Sequence, residues 1–479
     1  MTVPLLRFIR SWALLALIPF MLMSNQGLTL QGLTLSEKTF WAVWHYTHIP
    51  PWLSWILVLL MCTLVIPSWN RKTQKGICLL WNMLPLKNNS HLWHVILSVC
   101  AVPIFWVFRL GHLRWGDAQI LVAGLAQTDD IAVIYNWQSP LTVYLHQRLW
   151  AWLFYPHFGW GMDTVYAFVS VLCGGMFVFV LLNLAHDFAR TPIEKSLIVG
   201  LVLTTGTMQL FFGYVENYTI ISLGIVVFLW LGLHSLQGKV PLWAVTLSLS
   251  ITNCFHPSTV ILWFAVIYLV WVNRHEKAWH QLLLELILPP LIISSNLLMM
   301  MELGNHGLES LFGDDRPGGS DHIWFVPLFN ITSDWETYTM FSMAHLTDWA
   351  NLHFLLSVFG LPVLGIIVWN KMVRLVSKGH TKLQKQAIQL FPKNEFLHTQ
   401  CWFLGIASLS YLLFTWVWNA DYGIRKDWDL FSPSAIVYSL LLAWLFIETT
   451  DDKDTLAQGT IVIVAVSALH AMTWIVSNT

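Results

Sequence analysis

Charge is scarce in this chain of 479 residues: only 11% of the residues are charged, whereas 56% are hydrophobic. A typical soluble domain carries about a quarter charged residues, so this composition excludes an ordinary soluble enzyme and a disordered chain. The 25 basic and 26 acidic side chains give a formal net charge of −1, which provides no basic surface for a nucleic acid. We therefore expect a protein that resides in a lipid bilayer and has no nucleic-acid partner.

Paired cysteines and several catalytic motifs are also missing. The six cysteines are scattered without a CxxC pair, which argues against a disulfide framework and a cysteine-based zinc site. The sequence contains no Walker A loop, GxSxG, HExxH or CxxCH motif. ATP hydrolysis, serine hydrolysis, zinc proteolysis and c-type haem attachment therefore have no support. The residues indicate no cofactor and no metal ligand set, although a divalent cation stays open.

Long apolar runs are abundant, and most are long enough to cross a bilayer as a helix. They lie near 8–23, 52–67, 92–109, 163–186, 196–212, 218–236, 240–253, 257–273, 281–301, 349–369, 400–419, 432–448 and 459–476. The sequence therefore predicts an all-α, polytopic membrane protein of about 13 transmembrane helices, with 240–253 short enough for a half-span.

The distribution of lysine and arginine predicts the orientation. With a cytoplasmic N-terminus, 18 of the 25 basic residues lie inside and 7 outside, as the positive-inside rule requires. We thus expect the N-terminus in the cytoplasm, the C-terminus outside and a bacterial inner membrane as the location. Three outer segments, 24–51, 110–162 and 302–348, are longer than plain connectors, so function is expected on the extracytoplasmic side.

The same pattern divides the chain into four parts. Residues 1–91 hold two N-terminal transmembrane helices with their connectors, and 92–301 form a transmembrane core that includes the outer loop 110–162. An outer loop at 302–348 and the C-terminal transmembrane helices at 349–479 follow.

The loop after the third run begins with an acid and two amphipathic stretches. Asp117 precedes a predicted interfacial helix over 118–127, where it fits either a helix cap or a functional carboxylate. A second predicted helix over 141–155 follows Ser139 and Pro140, a residue pair typical of a helix start.

This order of elements resembles the GT-C superfamily of polytopic glycosyltransferases over residues 92–190. Within it, the Gln138-Ser139-Pro140-Leu141 segment is most similar to the branch of protein mannosyltransferases and the lipid A aminoarabinose transferase. The resemblance implies a GT-C-like fold, interfacial helices in the first outer loop, an acidic residue near the start of that loop and inversion at the anomeric carbon. The chain departs from the family pattern where Ala118 follows Asp117 and where Gln138 replaces a basic residue.

Polar residues recur at the outer ends of other runs. Glu216 lies in a tight turn, where it suits a sugar hydroxyl, an ion pair with an outer arginine or a solvated position. His256 suits contact with a phosphate or a hydroxyl, a helix cap or a core position. His345, Asp348 and Asn351 are spaced three residues apart, so they form one stripe on a helix. That stripe is typical of a cavity wall or of a hydrated helix entrance.

The densest cluster precedes the twelfth run, whose predicted start at Ser432 places these residues at the outer surface. Arg425 and Lys426 could hold a lipid phosphate or simply neutralise the neighbouring Asp427 and Asp429. All of these clusters fall on one side of the predicted topology, which favours a shared cavity.

Three functions fit this pattern. The leading hypothesis is a glycosyltransferase that takes a sugar from a polyprenyl-phosphate-linked donor in the membrane lipid and transfers it to an unidentified acceptor. In it, Asp117 is the general base, while Glu216, His256, His345, Asp348, Arg425, Lys426, Asp427 and Asp429 bind substrate. The alternatives are a lipid or glycolipid transporter or flippase, and a non-catalytic membrane subunit.

Overall fold

The computed structural model describes residues 2–25, 36–83, 86–127, 138–274, 276–304, 307–309, 323–377 and 395–479. These residues form helices joined by short turns, with one isolated antiparallel β-bridge between Phe325 and Trp418. The predicted all-α class is therefore confirmed. Asp129 and Asp130, at the end of the first outer loop segment, lie outside the described residues.

The N-terminal half contains helices of membrane-spanning length and shorter helices. They are α1 (Thr2–Ser24), α2 (Trp41–Trp44), α3 (Pro51–Val65), α4 (Pro67–Met83), α5 (Leu86–Val107), α6 (Ala118–Leu125), α7 (Pro140–Leu149), α8 (Tyr155–Phe158), α9 (Met162–Phe188), α10 (Pro192–Leu203) and α11 (Tyr218–Ser235). A π-helical turn at Trp150–Phe154 joins α7 to α8. The two amphipathic helices predicted in the first outer loop correspond to α6 and to α7 with its continuation.

The C-terminal half follows the same scheme. Its helices are α12 (Leu242–Phe255), α13 (Trp263–Asn273), α14 (Trp279–Leu303), α15 (Met343–Leu356), α16 (Gly360–Ser377), α17 (Glu395–Val417), α18 (Trp428–Phe431), α19 (Ser434–Thr449) and α20 (Lys453–Ser477). Two 3₁₀ turns shorten the helices that the apolar runs form: Gly206–Phe211 lies at the end of the run 196–212, and Pro257–Leu262 lies at the start of the run 257–273.

Fewer helices reach spanning length than there are apolar runs. Among the described residues, eight helices are long and apolar enough to cross a membrane, and ten if each of two bent helix pairs counts once. The expected number of 13 is not confirmed, because three runs give only short helices: α10, α12 and α13. Each of these falls short of the roughly 20 residues that a bilayer crossing needs.

The core lies around α19. Every residue from Ser434 to Phe446 is buried, so this helix is enclosed by other helices on all sides. In contrast, α14 exposes Leu284, Leu291 and Met299, as expected of a helix that faces lipid. The apolar surface is thus divided between a protein-filled centre and a lipid-facing rim.

Loops from distant parts of the chain meet at one end of the bundle. The Leu110 N–H donates to the Phe212 carbonyl at 2.8 Å, and the Gly111 N–H donates to the Asn478 carbonyl at 3.3 Å. We call this end the site face; the chain turns there between α5 and α6, before α11 and after α20. The opposite face contains the ends of α9, α11 and α19.

Close contact between α5 and α9 depends on a glycine. A Cβ added at Gly174 would lie 2.8 Å from the Phe105 ring and 2.8 Å from the Phe211 Cβ. Neither ring can withdraw easily, because both Phe105 and Phe211 are buried.

We expect Gly174→Ala to lower the unfolding temperature of the detergent-solubilised protein, since overpacking of this kind costs about 1–3 kcal/mol. Gly405→Ala in α17 is the matched control, because nothing lies within 4 Å of its added Cβ. Differential scanning fluorimetry of the two variants tests this packing, and equal unfolding temperatures would contradict it.

Candidate functional site

A cavity of about 750 Å³ opens at the site face. Its walls come from the loop before α6, the turn before α11, the end of α12, the start of α13, the end of α17 and the segment 419–430. One end of the cavity is polar, and the other is an apolar arm between α13 and α17.

Four carboxyl groups line the polar end: Asp117, Glu216, Asp427 and Asp429. Glu216, Asp427 and Asp429 are at most 8% exposed, whereas Asp117 is partly exposed. Of the residues that the structure describes, no lysine or arginine lines this cavity. Burial of several acids without a basic partner is costly, because each ionised carboxylate opposes the ionisation of the others.

Asp117 occupies the N-cap position of α6, but its side chain makes no capping hydrogen bond. Hydrogen bonding from Tyr422 and Gln138 involves its carboxylate instead. Burial raises the pKa of Asp117 above the ordinary aspartate value, and those two hydrogen bonds oppose the rise. The carboxylate is therefore oriented toward the cavity and away from the helix terminus.

Glu216 joins the two loops that face each other across the polar end. Its carboxylate accepts hydrogen bonds from the backbone N–H of Asp117 and, at 2.9 Å, from that of Asn217. Burial raises the pKa of Glu216 well above its ordinary value, and the charges of Asp429 and Asp117 add to the rise. The sequence allowed a solvated turn acid here; the structure shows a buried one.

Asp427 and Asp429 face the same space from the segment before α19. Asp427 accepts a hydrogen bond from the Tyr422 N–H at 2.9 Å, and Asp429 accepts one from the Leu430 N–H at 3.0 Å. Burial raises the pKa of Asp427 well above its ordinary value, with the charge of Asp429 as the next cause. Both acids were expected at the outer surface and are instead buried, because they line the cavity that the surrounding loops and helices enclose.

Gly116 allows the chain to pass between two of these acids. Its φ is +50°, a left-handed conformation that favours glycine. A Cβ added there would collide with Glu216 Oε1 and would lie 3.1 Å from Asp429 Oδ2. The absence of a side chain at this position thus brings Asp117, Glu216 and Asp429 close together.

His256 adds a neutral group to the wall. Its Nδ1 accepts from the Ser258 N–H at 3.2 Å, so it caps the 3₁₀ turn Pro257–Leu262, which is one of its predicted roles. Burial lowers the pKa of His256 to about 3, which keeps the ring neutral. An Nδ1 acceptor implies a proton on Nε2, which is buried without a partner among the described residues. One N–H donor therefore remains unused beside the cavity.

The apolar arm opens on the side of the bundle. Val260 and Phe264 line it from the 3₁₀ turn and α13, and Leu409 and Leu413 line it from α17. These four side chains are 50–62% exposed on a surface that faces lipid in a membrane protein. An extended hydrocarbon chain could therefore enter the arm from within the bilayer.

The structure does not bring His345 and Asp348 to this cavity. His345 is buried beside Tyr338 and Trp416, and its Nδ1 pairs with the Met340 carbonyl at 2.7 Å. Asp348 accepts a hydrogen bond from the Trp41 indole at 3.0 Å. The predicted polar stripe thus packs α2 against α15.

Arg425 and Lys426 also lie outside the cavity lining. The Arg425 guanidinium pairs with Glu37, and Lys426 is exposed. Neither residue neutralises Asp427 or Asp429 by an ion pair that the structure describes.

Sequence reasoning missed two residues of the polar end. Gln138 entered only as a departure from the family pattern, and Tyr422 was part of a cluster without a role of its own. Tyr422 lies five positions before Asp427, which is a sequence signal for it, whereas Gln138 lies 21 positions after Asp117. Their contacts with Asp117 depend on loop packing, which no local pattern encodes.

The carboxyl cluster does not fit a metal site. In the described parts of the chain, no group of three or more histidine, cysteine or acidic side chains is placed to hold a metal ion. The four acids are held mainly by backbone N–H groups and by Tyr422 and Gln138.

Comparison with known proteins supports the fold. No family model matches the chain, and no curated protein matches its sequence. The crystal structure of ArnT from Cupriavidus metallidurans bound to undecaprenyl phosphate is similar, with a TM-score of 0.50 and 10% sequence identity. The similarity covers 82% of this chain and 77% of that protein. The chain thus shares the fold of that protein, in line with the resemblance over 92–190, and it is a multi-pass membrane protein.

We expect Gly116→Ala to separate the loop before α6 from Glu216, since a methyl group cannot fit beside its carboxylate. Hydrogen–deuterium exchange of the peptide covering 111–127 should then become faster as the Asp117 N–H loses its partner. Gly124→Ala in α6 is the control, because its added Cβ has nothing within 4 Å. Unchanged exchange in Gly116→Ala would show that this close approach is not required.

Proposed function

We propose that this protein is a membrane glycosyltransferase that takes a sugar from a polyprenyl-phosphate-linked donor. The observation that carries the proposal is a single cavity with a carboxyl-lined end and an apolar arm that is open on the lipid-facing side. The similar fold of ArnT, whose structure contains undecaprenyl phosphate, supports this substrate class.

The donor fits the cavity in one direction. Its polyprenyl chain lies in the arm between Phe264 of α13 and Leu413 of α17, where burial of apolar surface favours binding. Its sugar then lies at the polar end, beside Asp117. Neutral hydrogen-bond donors at that end, including His256 and Gln138, are available to the phosphate oxygens.

Asp117 acts as the general base in this proposal. The acceptor hydroxyl or amine attacks the anomeric carbon, the bond between that carbon and the phosphate oxygen breaks, and polyprenyl phosphate leaves with the bonding electrons. The acceptor proton passes to the Asp117 carboxylate. Attack from the side opposite the phosphate inverts the anomeric centre, as the family resemblance implies.

The environments of the acids favour Asp117 for this role. A general base must be ionised, and the pKa values of Glu216 and Asp427 are raised well above the ordinary range by burial and by neighbouring charge. Asp117 is more exposed and accepts hydrogen bonds that stabilise its charged form. Groups whose environments shift their pKa values by different amounts are suited to different roles.

The proposed topology follows the distribution of basic residues. The N-terminus is cytoplasmic, the C-terminus and the site face are extracytoplasmic, and the membrane is a bacterial inner membrane. The core proposed to carry the transfer chemistry extends over 92–301, with the segment 419–430 completing the cavity from the C-terminal part.

We expect Asp117→Asn to reduce transfer by about 10²–10⁴-fold, the usual contribution of general base catalysis. The assay measures release of polyprenyl phosphate from a panel of polyprenyl-phosphate-linked sugars. Binding of the donor and the unfolding temperature should stay close to wild type, since the amide preserves size. Asp163→Asn at the start of α9, outside the cavity lining, is the matched control. Full turnover in Asp117→Asn would remove Asp117 from the mechanism.

We expect Tyr422→Phe to move the acidic limb of the kcat/KM profile to higher pH. Hydrogen bonding from Tyr422 lowers the pKa of Asp117, so its loss raises that pKa and a higher pH is needed to ionise the base. The control, Tyr155→Phe, changes a tyrosine outside the cavity lining and should leave the limb unchanged. A lower rate without a shifted limb would indicate a purely structural role for Tyr422.

A further inference from the structure

A second, smaller cavity lies at the opposite face, and it is distinct from the proposed glycosyl-transfer site. Its volume is about 280 Å³, and its polar lining consists of Asp187, Arg190, Glu194, Gln237, Gln400 and Glu448. We propose that this cavity binds a phosphoethanolamine group, as carried by an aminophospholipid of the adjacent leaflet. The proposal does not depend on the transfer reaction.

The position of the cavity favours a lipid headgroup. It is formed where α9 and α19 end and where α10 begins, with Phe188, Ile198 and Trp444 among its apolar walls. The ends of spanning helices lie at the level of lipid headgroups. Pockets for drug-sized ligands are generally larger, at roughly 300–1,000 Å³, so this volume suits a small group.

Two buried amide atoms in the lining have no hydrogen-bond partner in the part of the chain that the structure describes. Gln400 is only 2% exposed; its Oε1 accepts from the Trp444 indole at 3.1 Å, while its Nε2 has no partner among the described residues. The Oε1 of Gln237 is likewise buried without a partner there. An unsatisfied buried polar group costs about 1–3 kcal/mol. A ligand that both accepts and donates hydrogen bonds would satisfy both atoms.

The charges of the lining fit a zwitterion. The Asp187 carboxylate is already occupied, since it accepts from Trp230 Nε1 and His234 Nε2 at 2.9 Å each. Glu194 Oε2 accepts from the Arg190 N–H at 2.8 Å, which leaves Glu194 Oε1, the Arg190 guanidinium and the Glu448 carboxylate to face a ligand. A simple anion would meet two carboxylates, and a simple cation would meet the guanidinium.

A phosphoethanolamine group matches this arrangement. Its phosphate can accept from Arg190 and from the Gln400 Nε2–H, while its ammonium can donate to Glu448 or Glu194 and to the Gln237 Oε1. A choline group carries no N–H, so it cannot make the second set of bonds. The cavity should therefore distinguish ethanolamine from choline headgroups.

Native mass spectrometry of the full-length protein tests this selectivity. The protein is released from nanodiscs that contain equal amounts of dioleoyl phosphatidylethanolamine, phosphatidylcholine and phosphatidylglycerol. We expect at least fivefold preferential retention of phosphatidylethanolamine, reduced toward equal retention in Arg190→Gln and Glu448→Gln. The control Glu276→Gln changes an exposed acid of the same face outside the cavity lining and should preserve the preference.

A second measurement distinguishes a lipid ligand from a soluble one. Free O-phosphoethanolamine that displaces the retained lipid would support the headgroup chemistry in a site open to water, and failure to displace it would support a site that requires the whole lipid. Equal retention of all three lipids by the wild type would overturn the proposal. So would an undiminished preference in both cavity variants. Loss of sugar transfer would neither support nor overturn this lipid-binding proposal.

Discussion

The hydrogen bond from the Asp117 N–H to the Glu216 carboxylate holds the polar end of the larger cavity together. It joins the loop after α5 to the turn before α11, two segments separated by about a hundred residues in the chain. Gly116 makes the approach possible, and α6 then begins in the direction that this contact sets. The position of the Asp117 carboxylate is thus determined by Glu216, whose carboxylate accepts a hydrogen bond from the Asp117 backbone.

The close approach of the four acids also limits how many of them can be ionised at the same time. Four carboxyls without a lining lysine or arginine cannot all be ionised in a confined space, so protons must be shared among them. Backbone N–H groups stabilise Glu216 and Asp429, and Tyr422 connects Asp117 with Asp427 through its side chain and its backbone. A network of this kind stores protons close to the reacting atoms, and its members are expected to titrate together.

Much of this architecture could be predicted from the sequence, because apolar runs and the residues at their ends report local preferences. The same patterns place Asp117, Glu216, His256, Asp427 and Asp429 at helix ends, and the structure collects these residues around one cavity. These local patterns do not encode how the helices pack against one another. The rotation of α15 turns Asp348 toward Trp41.

The ion pair between Arg425 and Glu37 illustrates the same limit, since its partners are 388 positions apart. The expected number of 13 spans is not confirmed for a related reason. The 3₁₀ turns at Gly206–Phe211 and Pro257–Leu262 lie within runs whose composition alone is uniform.

The lateral opening between α13 and α17 has a kinetic consequence, because a ligand that enters there arrives by two-dimensional diffusion within one leaflet. Occupancy of the cavity then follows the mole fraction of that lipid in the membrane and is independent of the volume of the surrounding water.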